Sequence, residues 1–457
     1  MQQSTRKETT LIQRMALTLL VSAFCAGTAW ADGDRVAELE RRVAELEAMV
    51  ETLLDRASDS GTQAAAQARQ ASADAAEARE RVGELDRKIA PVIAAAEKKA
   101  DMPEFYYGGY IKTDFIFSDF GDGNVAGNSI GRDFFVPSTI PVSGDSEGVQ
   151  FDVHARQTRF HFGTRHEVGE AKLGSYIEMD FLVTAGGNER VSNSFTPRLR
   201  HAYVTYDNWL VGQTWNTFMD VATLPESVDF IGPTGSTSFG REPMVRYSRG
   251  GFAIALENPD TTVTPLGGGR IDADDNSIPE LAARYTWKGD WGHLQIGGML
   301  RQLELEDAAL GVDDNTTGWG LSLSGKAMLG RNDVRFMILG GEGLGRQVAL
   351  NFANGAAITD TGELEAIGTL GGFVAYRHWW NQKWRSNAVV SYMEVDNPVR
   401  FTGTGVSESN WSGQINLLYS PVPPFTFGIE YLMAEHELEN GLDGRLDRVQ
   451  FMAKYAF

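Results

Sequence analysis

The chain has 457 residues, 42% of them hydrophobic and 10% aromatic, with 50 glycines and a formal net charge of −20. That charge argues against nucleic acid as a partner, and past the N-terminus no run of ~20 apolar residues could cross a membrane as a helix. The one cysteine, Cys25, lies in a segment expected to be removed, so neither a disulfide framework nor a thiolate metal site is expected in the mature chain.

Residues 1–31 read as a signal peptide. Arg6, Lys7 and Arg14 supply its positive end, Met15 to Cys25 its apolar core, and Ala29-Trp30-Ala31 a small-x-small cleavage site. Phe24 stands before Cys25 where a lipidation signal needs a small residue, which disfavours a lipoprotein.

Residues 32–90 read as an α-helical coiled coil. Val36, Leu39, Val43, Leu46, Val50 and Leu53 alternate at spacings of three and four, the seam of a heptad repeat, and Arg42 can reach Glu47 of a neighbouring chain. A second seam, from Ala64 through Ala68, Ala71, Ala75, Ala78, Val82 and Leu85 to Ile89, is out of phase with the first, so a register slip is expected near Gly61. Alanine at a seam buries little area, and Val and Leu at these positions nominally favour a dimer, which other parts of the chain can override. Pro91 is expected to end the helix, with residues 91–104 as a linker.

From residue 105 to residue 457 the dominant signal is period-two alternation. In the last stretch Val449, Phe451, Ala453, Tyr455 and Phe457 share one face, and Arg448, Gln450, Met452 and Lys454 the other. The same pattern recurs, for instance at Ile111/Phe115/Phe117 against Lys112/Asp114, and at Ile177/Met179/Phe181 against Glu178/Asp180. Short turns such as residues 330–333 and 420–424 alternate with long polar or Gly-rich stretches such as 341–370. Apolar-out, polar-in strands with short turns at one end and long loops at the other predict an all-β transmembrane barrel of the bacterial outer membrane, with the coiled coil in the periplasm. About 350 residues at roughly 20–22 per strand give about 16 antiparallel strands. The terminal Phe457 resembles the C-terminal signature that outer-membrane proteins present to the barrel assembly machinery, and outer-membrane lipid and lipopolysaccharide are the expected surroundings.

The polar faces carry an excess of cations. Arg159, Arg198, Arg200, Arg246, Arg284, Arg301, Lys326, Arg335 and Arg385 are expected to line the pore, some of them paired with the fewer inward acids. Most acids fall in loops, as at Asp272 and Asp313. A basic lumen in an acidic protein favours anions. About 30 residues separate the strand ending near Trp215 from the one starting near Met244, and they mix apolar and polar types in a way a water-exposed loop rarely does. This segment is expected to fold into the lumen as a constriction loop carrying Asp220, Pro225, Glu226, Asp229 and Phe230. No metal-binding histidine spacing, nucleophile elbow or phosphate loop occurs, so neither an enzyme nor a cofactor is expected.

The runs Gly108–Asp114, Phe135–Pro141, Ala155–Arg159, Tyr176–Phe181, Arg198–Tyr203, Gly212–Pro233 and Arg241–Tyr247, in that order, resemble the DcaP-like outer-membrane porins. The resemblance is most specific between Phe135 and Tyr247. It implies a homotrimer of 16-stranded barrels, each with its own pore, a periplasmic coiled coil, and uptake of small anionic solutes, dicarboxylates especially. The expected function is therefore a diffusion porin with an anion-preferring lumen. A phosphate- or polyphosphate-selective porin and a structural outer-membrane tether built on the coiled coil are the alternatives.

Overall fold

A computed structural model describes residues 41–42, 44–45, 48, 61–96, 102–182 and 192–457. The expected signal peptide, all six residues of the first heptad seam and the chain leading up to the register slip expected near Gly61 lie outside them. The helix carrying the second seam, α1 (Gly61–Ala96), does not stop at Pro91. It runs one turn and more beyond, since the proline removes a single backbone hydrogen bond that the turns on either side can outweigh. Glu77–Arg81 and Glu84–Lys88 ion pairs at 2.8 Å brace it at the i,i+4 spacing. Val82 and Leu85 on the seam are exposed.

The second unit of the chain, residues 106–457, is a closed sheet. Its strands in chain order begin with β1 (Glu104–Phe120), β2 (Val149–His154), β3 (Arg159–Val168), β4 (Ala171–Asp180), β5 (Arg198–Tyr206), β6 (Trp209–Trp215), β7 (Arg241–Arg249) and β8 (Phe252–Glu257). Two short strands outside the wall follow, β9 (Thr261–Thr264) and β10 (Ile271–Ala273). The wall resumes with β11 (Glu280–Gly289), β12 (Gly292–Asp307), β13 (Val312–Leu329) and β14 (Asn332–Glu342). After the short β15 (Ala356–Ile358) and β16 (Leu364–Ala366) it ends with β17 (Gly368–Trp379), β18 (Trp384–Asp396), β19 (Ser407–Val422), β20 (Phe425–Leu438) and β21 (Asp443–Ala456). Both β2 and β3 pair with β1, so they fill one position in the wall and leave a 16-strand antiparallel barrel. Closure is made by β1 on β21, in register from Tyr110 opposite Ala456 to Phe120 opposite Leu446. The four short strands β9, β10, β15 and β16 form a separate small sheet, packed through Val263, Leu303, Ala356 and Ile358.

The alternation sorts the barrel's side chains. Ile111, Leu300, Leu321, Val374 and Val390 point outward and are exposed, whereas their neighbours Lys112, Arg301, Ser322, Ala375 and Val389 are buried inside. Aromatic residues gather on the outer face near the short turns, among them Trp209 against Tyr247 with ring centroids 5.0 Å apart and Trp384 against Tyr419 at 4.4 Å. Such rings mark the level where a membrane meets water.

Much of the lumen is filled by chain returning from the long-loop end. Residues 216–240 fold inward against the wall. A second segment, residues 343–367, does so too, and packs Leu344, Val348, Ala349 and Phe352 among Phe218, Met337, Leu339 and Phe373. The close approach depends on glycine. A Cβ at Gly320 would lie 2.5 Å from Leu344 Cδ2, and one at Gly428 would lie 2.7 Å from Val228 Cγ2 on the first loop.

Candidate functional site

The inward loop 216–240 is tied to wall strands around the lumen. Asp220 accepts hydrogen bonds from His293 Nε2 at 2.8 Å and Ser324 Oγ at 2.9 Å, on β12 and β13. The Glu226 carboxylate takes both Nε and Nη2 of Arg385 at 2.7 Å and Nη1 of Arg377 at 3.2 Å. At the far side Glu430 of β20 accepts from the backbone N–H groups of Val228 and Asp229, each at 3.0 Å. Lys112 Nζ donates to Val228 O at 2.6 Å and pairs with Asp114 at 2.9 Å. Buried Asp229 accepts from the Phe135 N–H at 2.9 Å, joining the loop to the turn after α2 (Ile130–Asp133). On the way back Gln414 Nε2 donates to Gly232 O at 2.6 Å. Pro225 is buried within the loop. These contacts order a 25-residue excursion that has only two short 3₁₀ turns of its own.

Opposite the loop stands a cluster of arginines. Arg198 makes two hydrogen bonds to Asp180, at 2.9 and 2.8 Å. Arg200, 1% exposed, donates to Glu178 at 2.7 Å and Asp180 at 2.9 Å. Arg159 reaches Glu178 at 3.4 Å. Arg198 and Arg200, two positions apart, share the inner face by ordinary alternation, and a β-bulge lies at Arg200, opposite Glu178 and Met179. Leu199 points outward between them, while the irregularity leaves His201 buried beside Arg200, which is why the alternation reads poorly there.

The fourth member is Arg241, at the start of β7. An odd number of positions separates it from the inward Arg246, so strict alternation assigns it to the lipid face. It stands where the strand emerges from the loop, and its guanidinium lies 5.0 Å from the Trp215 ring centroid and 5.9 Å from that of Phe239. Arg198, Arg200 and Asp180 are its electrostatic neighbours. No hydrogen bond engages its buried Nη1. The aromatic side of the cluster belongs partly to the loop. Phe230 stacks edge-on with Phe134 and Phe239, and the guanidiniums of Arg200 and Arg159 lie 5.5 and 5.9 Å from its centroid. The rings shield the guanidiniums from water and hold them by cation–π attraction. Three guanidiniums thus share two carboxylates, Glu178 and Asp180, with that of Arg241 beside them.

The remaining expected residues divide by position. Arg335 pairs with Asp333 at 2.7 Å, and Asp333 also pairs with Arg377, beside Arg385 on Glu226. Lys454 and Arg159 lie 5.5 and 5.2 Å from the Tyr110 ring, joining the two basic groups across β21, β1 and β3. Arg246, Arg284 and Lys326 sit nearer the short-turn end. Arg301 is not with any of these. Fully buried, it pairs with Glu280 at 3.4 Å and donates to Gly343 O at 3.3 Å and Leu344 O at 2.9 Å, holding the second inward segment. Sequence reasoning did not single out Arg241 or Arg377; alternation within β17, where inward Phe373 and Ala375 precede it, would have found Arg377.

The family model described as DcaP outer membrane protein matches residues 92–457. Among solved structures, the outer membrane channel DcaP of Acinetobacter baumannii superposes with a TM-score of 0.65 at 25% identity, covering 78% of this chain and 97% of that one. The anion-selective porin from Comamonas acidovorans gives 0.49 at 10% identity, covering 78% and 100%. Outer-membrane expressed OmpT of Vibrio cholerae gives 0.48 at 11%, covering 79% and 99%. No curated protein matches the sequence.

Proposed function

The chain belongs to the DcaP outer membrane protein family, and on that footing we propose that it is an outer-membrane porin for small anionic organic solutes, dicarboxylates first. The observation that carries this reading is the imbalance in the arginine cluster. Arg159, Arg198, Arg200 and Arg241 face only Glu178 and Asp180, and Arg241 has no hydrogen bond or ion pair among the described residues. Two unit charges at about 5 Å and an effective dielectric of about 20 interact by roughly 3 kcal/mol. Each carboxylate of a dianion meeting the uncompensated guanidiniums gains an attraction of that order before salt screening lowers it. Conduction also requires that binding be weak enough for release. The reading has the short turns and α1 in the periplasm and the barrels in a homotrimer.

The test is the reversal potential across a KCl gradient, with liposome swelling in succinate and in a neutral sugar of similar size. Wild type is expected to prefer chloride and to admit succinate faster than the sugar. Replacing both Arg159 and Arg241 by Glu is expected to abolish or reverse that preference and to slow succinate severalfold more than the sugar. A cation-selective wild type, or a double variant that conducts both solutes unchanged, would overturn the reading.

A further inference from the structure

On the short-turn side of the inward loop the wall encloses a second basic cavity, of roughly 570 Å³. Arg246, Arg284, Lys326, Thr286, Gln295 and His293 line it, with the Asp220 end of the loop as its lid. Asp220 is saturated by His293, Ser324 and the Ala222 N–H at 2.8, 2.9 and 3.1 Å. The three cations are not correspondingly used. Arg246 donates Nη1 to Trp215 O at 3.2 Å and Arg284 donates Nη1 to Met219 O at 3.0 Å, each to a neutral carbonyl. Lys326 has no hydrogen bond or ion pair among the described residues. It stands directly opposite Arg335 on the neighbouring strand, a like-charge register that a sheet ordinarily avoids.

An uncharged group points to the same occupant. Gln295 is 3% exposed. Its Oε1 accepts from Thr286 Oγ1 at 3.0 Å, and its buried Nε2 has no partner. A buried N–H donor without an acceptor is costly. Glu257 is the carboxylate beside Arg246, and Asp220 and Glu257 those beside Arg284, so with the unpaired Lys326 three cations meet two acids. That surplus of positive charge and the orphan N–H around one cavity lack the same thing, an oxyanion.

We propose that this cavity is a second binding station, taking one carboxylate head of a small organic anion after it has passed the loop. It rests on the reading of the lumen as an anion path, and adds that the path has two stations. Trp215 is the partition. Its ring faces Arg200 and Arg241, at 5.5 and 5.0 Å, while its carbonyl takes Arg246 from the other side. Two modest sites in series let a second anion displace the first, which speeds transit relative to one deep site.

The experiment uses the full-length protein in planar bilayers of known orientation, with succinate or inorganic phosphate added on one side at a time. In wild type, succinate on the short-turn side is expected to block the KCl current in brief events. Lys326→Gln is expected to raise the half-blocking concentration from that side about tenfold, the loss of one charge-assisted contact, and from the long-loop side less than about twofold. Gln295→Leu removes the orphan donor without changing charge and is expected to act in the same direction, more weakly. Equal block of phosphate and succinate would still support the station, since the oxyanion head is what it reads. Block that is absent from the short-turn side, or unchanged in both variants while wild type remains anion-selective, overturns the station alone. A wild type that is not anion-selective removes the underlying reading and the station with it. Heat-modifiable mobility on gels checks that each variant is folded, and Gln295→Leu decides the matter should Lys326→Gln fail to fold.

Discussion

Glu226 is the carboxylate that joins the inward loop to the arginines of the wall, and its charge is subtracted from theirs. Replacing it by Gln keeps its shape while freeing Arg385, and half-freeing Arg377, which retains Asp333. The lumen then gains one unit of positive charge. Glu226→Gln is expected to move the reversal potential further toward chloride, the opposite sign to any loss of an arginine. A shift toward potassium would mean that these pairs sit outside the conducting path. At this scale the sequence was readable wherever alternation holds. Arg159, Arg246, Arg284, Lys326, Arg335 and Arg385 all sit on the inner face that their parity assigns. It was unreadable where backbone geometry departs from a regular strand. Arg241 takes its direction from the exit of the loop, and His201 is buried beside Arg200 by a bulge that no single-residue preference announces. Which arginines are paired could not be read either. Arg301 shares its parity with the lumen-facing set, but the carbonyls of residues 343 and 344, on a distant segment, engage it.

Strands and loops obey different rules in this barrel. The strands follow from period two, and their count of sixteen from length. The loops depend on contacts between residues far apart in sequence. Apolar content betrayed the 216–240 segment, but residues 343–367 are rich in Gly, Ala and Thr and read as a solvated loop until Leu344, Val348 and Phe352 are seen inside the lumen. Their seat exists because glycines thin the wall. Gly428→Val is therefore expected to press on Val228 and Leu418, whose side-chain atoms already lie 2.7 and 2.8 Å from a bare Cβ, and to destabilise the folded barrel by about 1–3 kcal/mol. The measurable outcome is a lower temperature of heat modification together with a larger single-channel conductance as the loop tip leaves the wall. Unchanged conductance would mean that the tip does not narrow the pore. Just past β21 the test is different. Phe457 packs near Phe160 and Tyr455, at 6.1 and 6.3 Å between centroids, and its backbone N–H and C=O both bond to Gly109. Phe457→Asp puts a charge at the outer rim, at a cost of up to about 1 kcal/mol near the membrane interface. It is expected to leave mature protein in the periplasm, and normal outer-membrane levels would refute that role for the residue.

The whole molecule combines a helix with an open apolar seam and a barrel whose outer wall is apolar all round. The exposed Val82 and Leu85, with alanines at most other seam positions, offer little area for burial. Deletion of residues 32–96 is thus expected to leave a folded barrel that still runs as an oligomer on semi-native gels. A monomer in mild detergent would show that the helix, and not the wall, carries assembly. The pairing of β1 with β21 has a kinetic consequence of its own. Gln450 Nε2 donates to Asp114 across this seam from a position 336 residues further along the chain, whereas every other wall contact between consecutive strands closes a far shorter segment. Chain entropy makes that closure about 2.5 kcal/mol costlier than a 20-residue hairpin. The seam is therefore the last to zip, and until it does β1 presents an unpaired edge able to recruit any passing strand. A ribosome that stops early, or a protease that trims the final strand, leaves that edge permanently open.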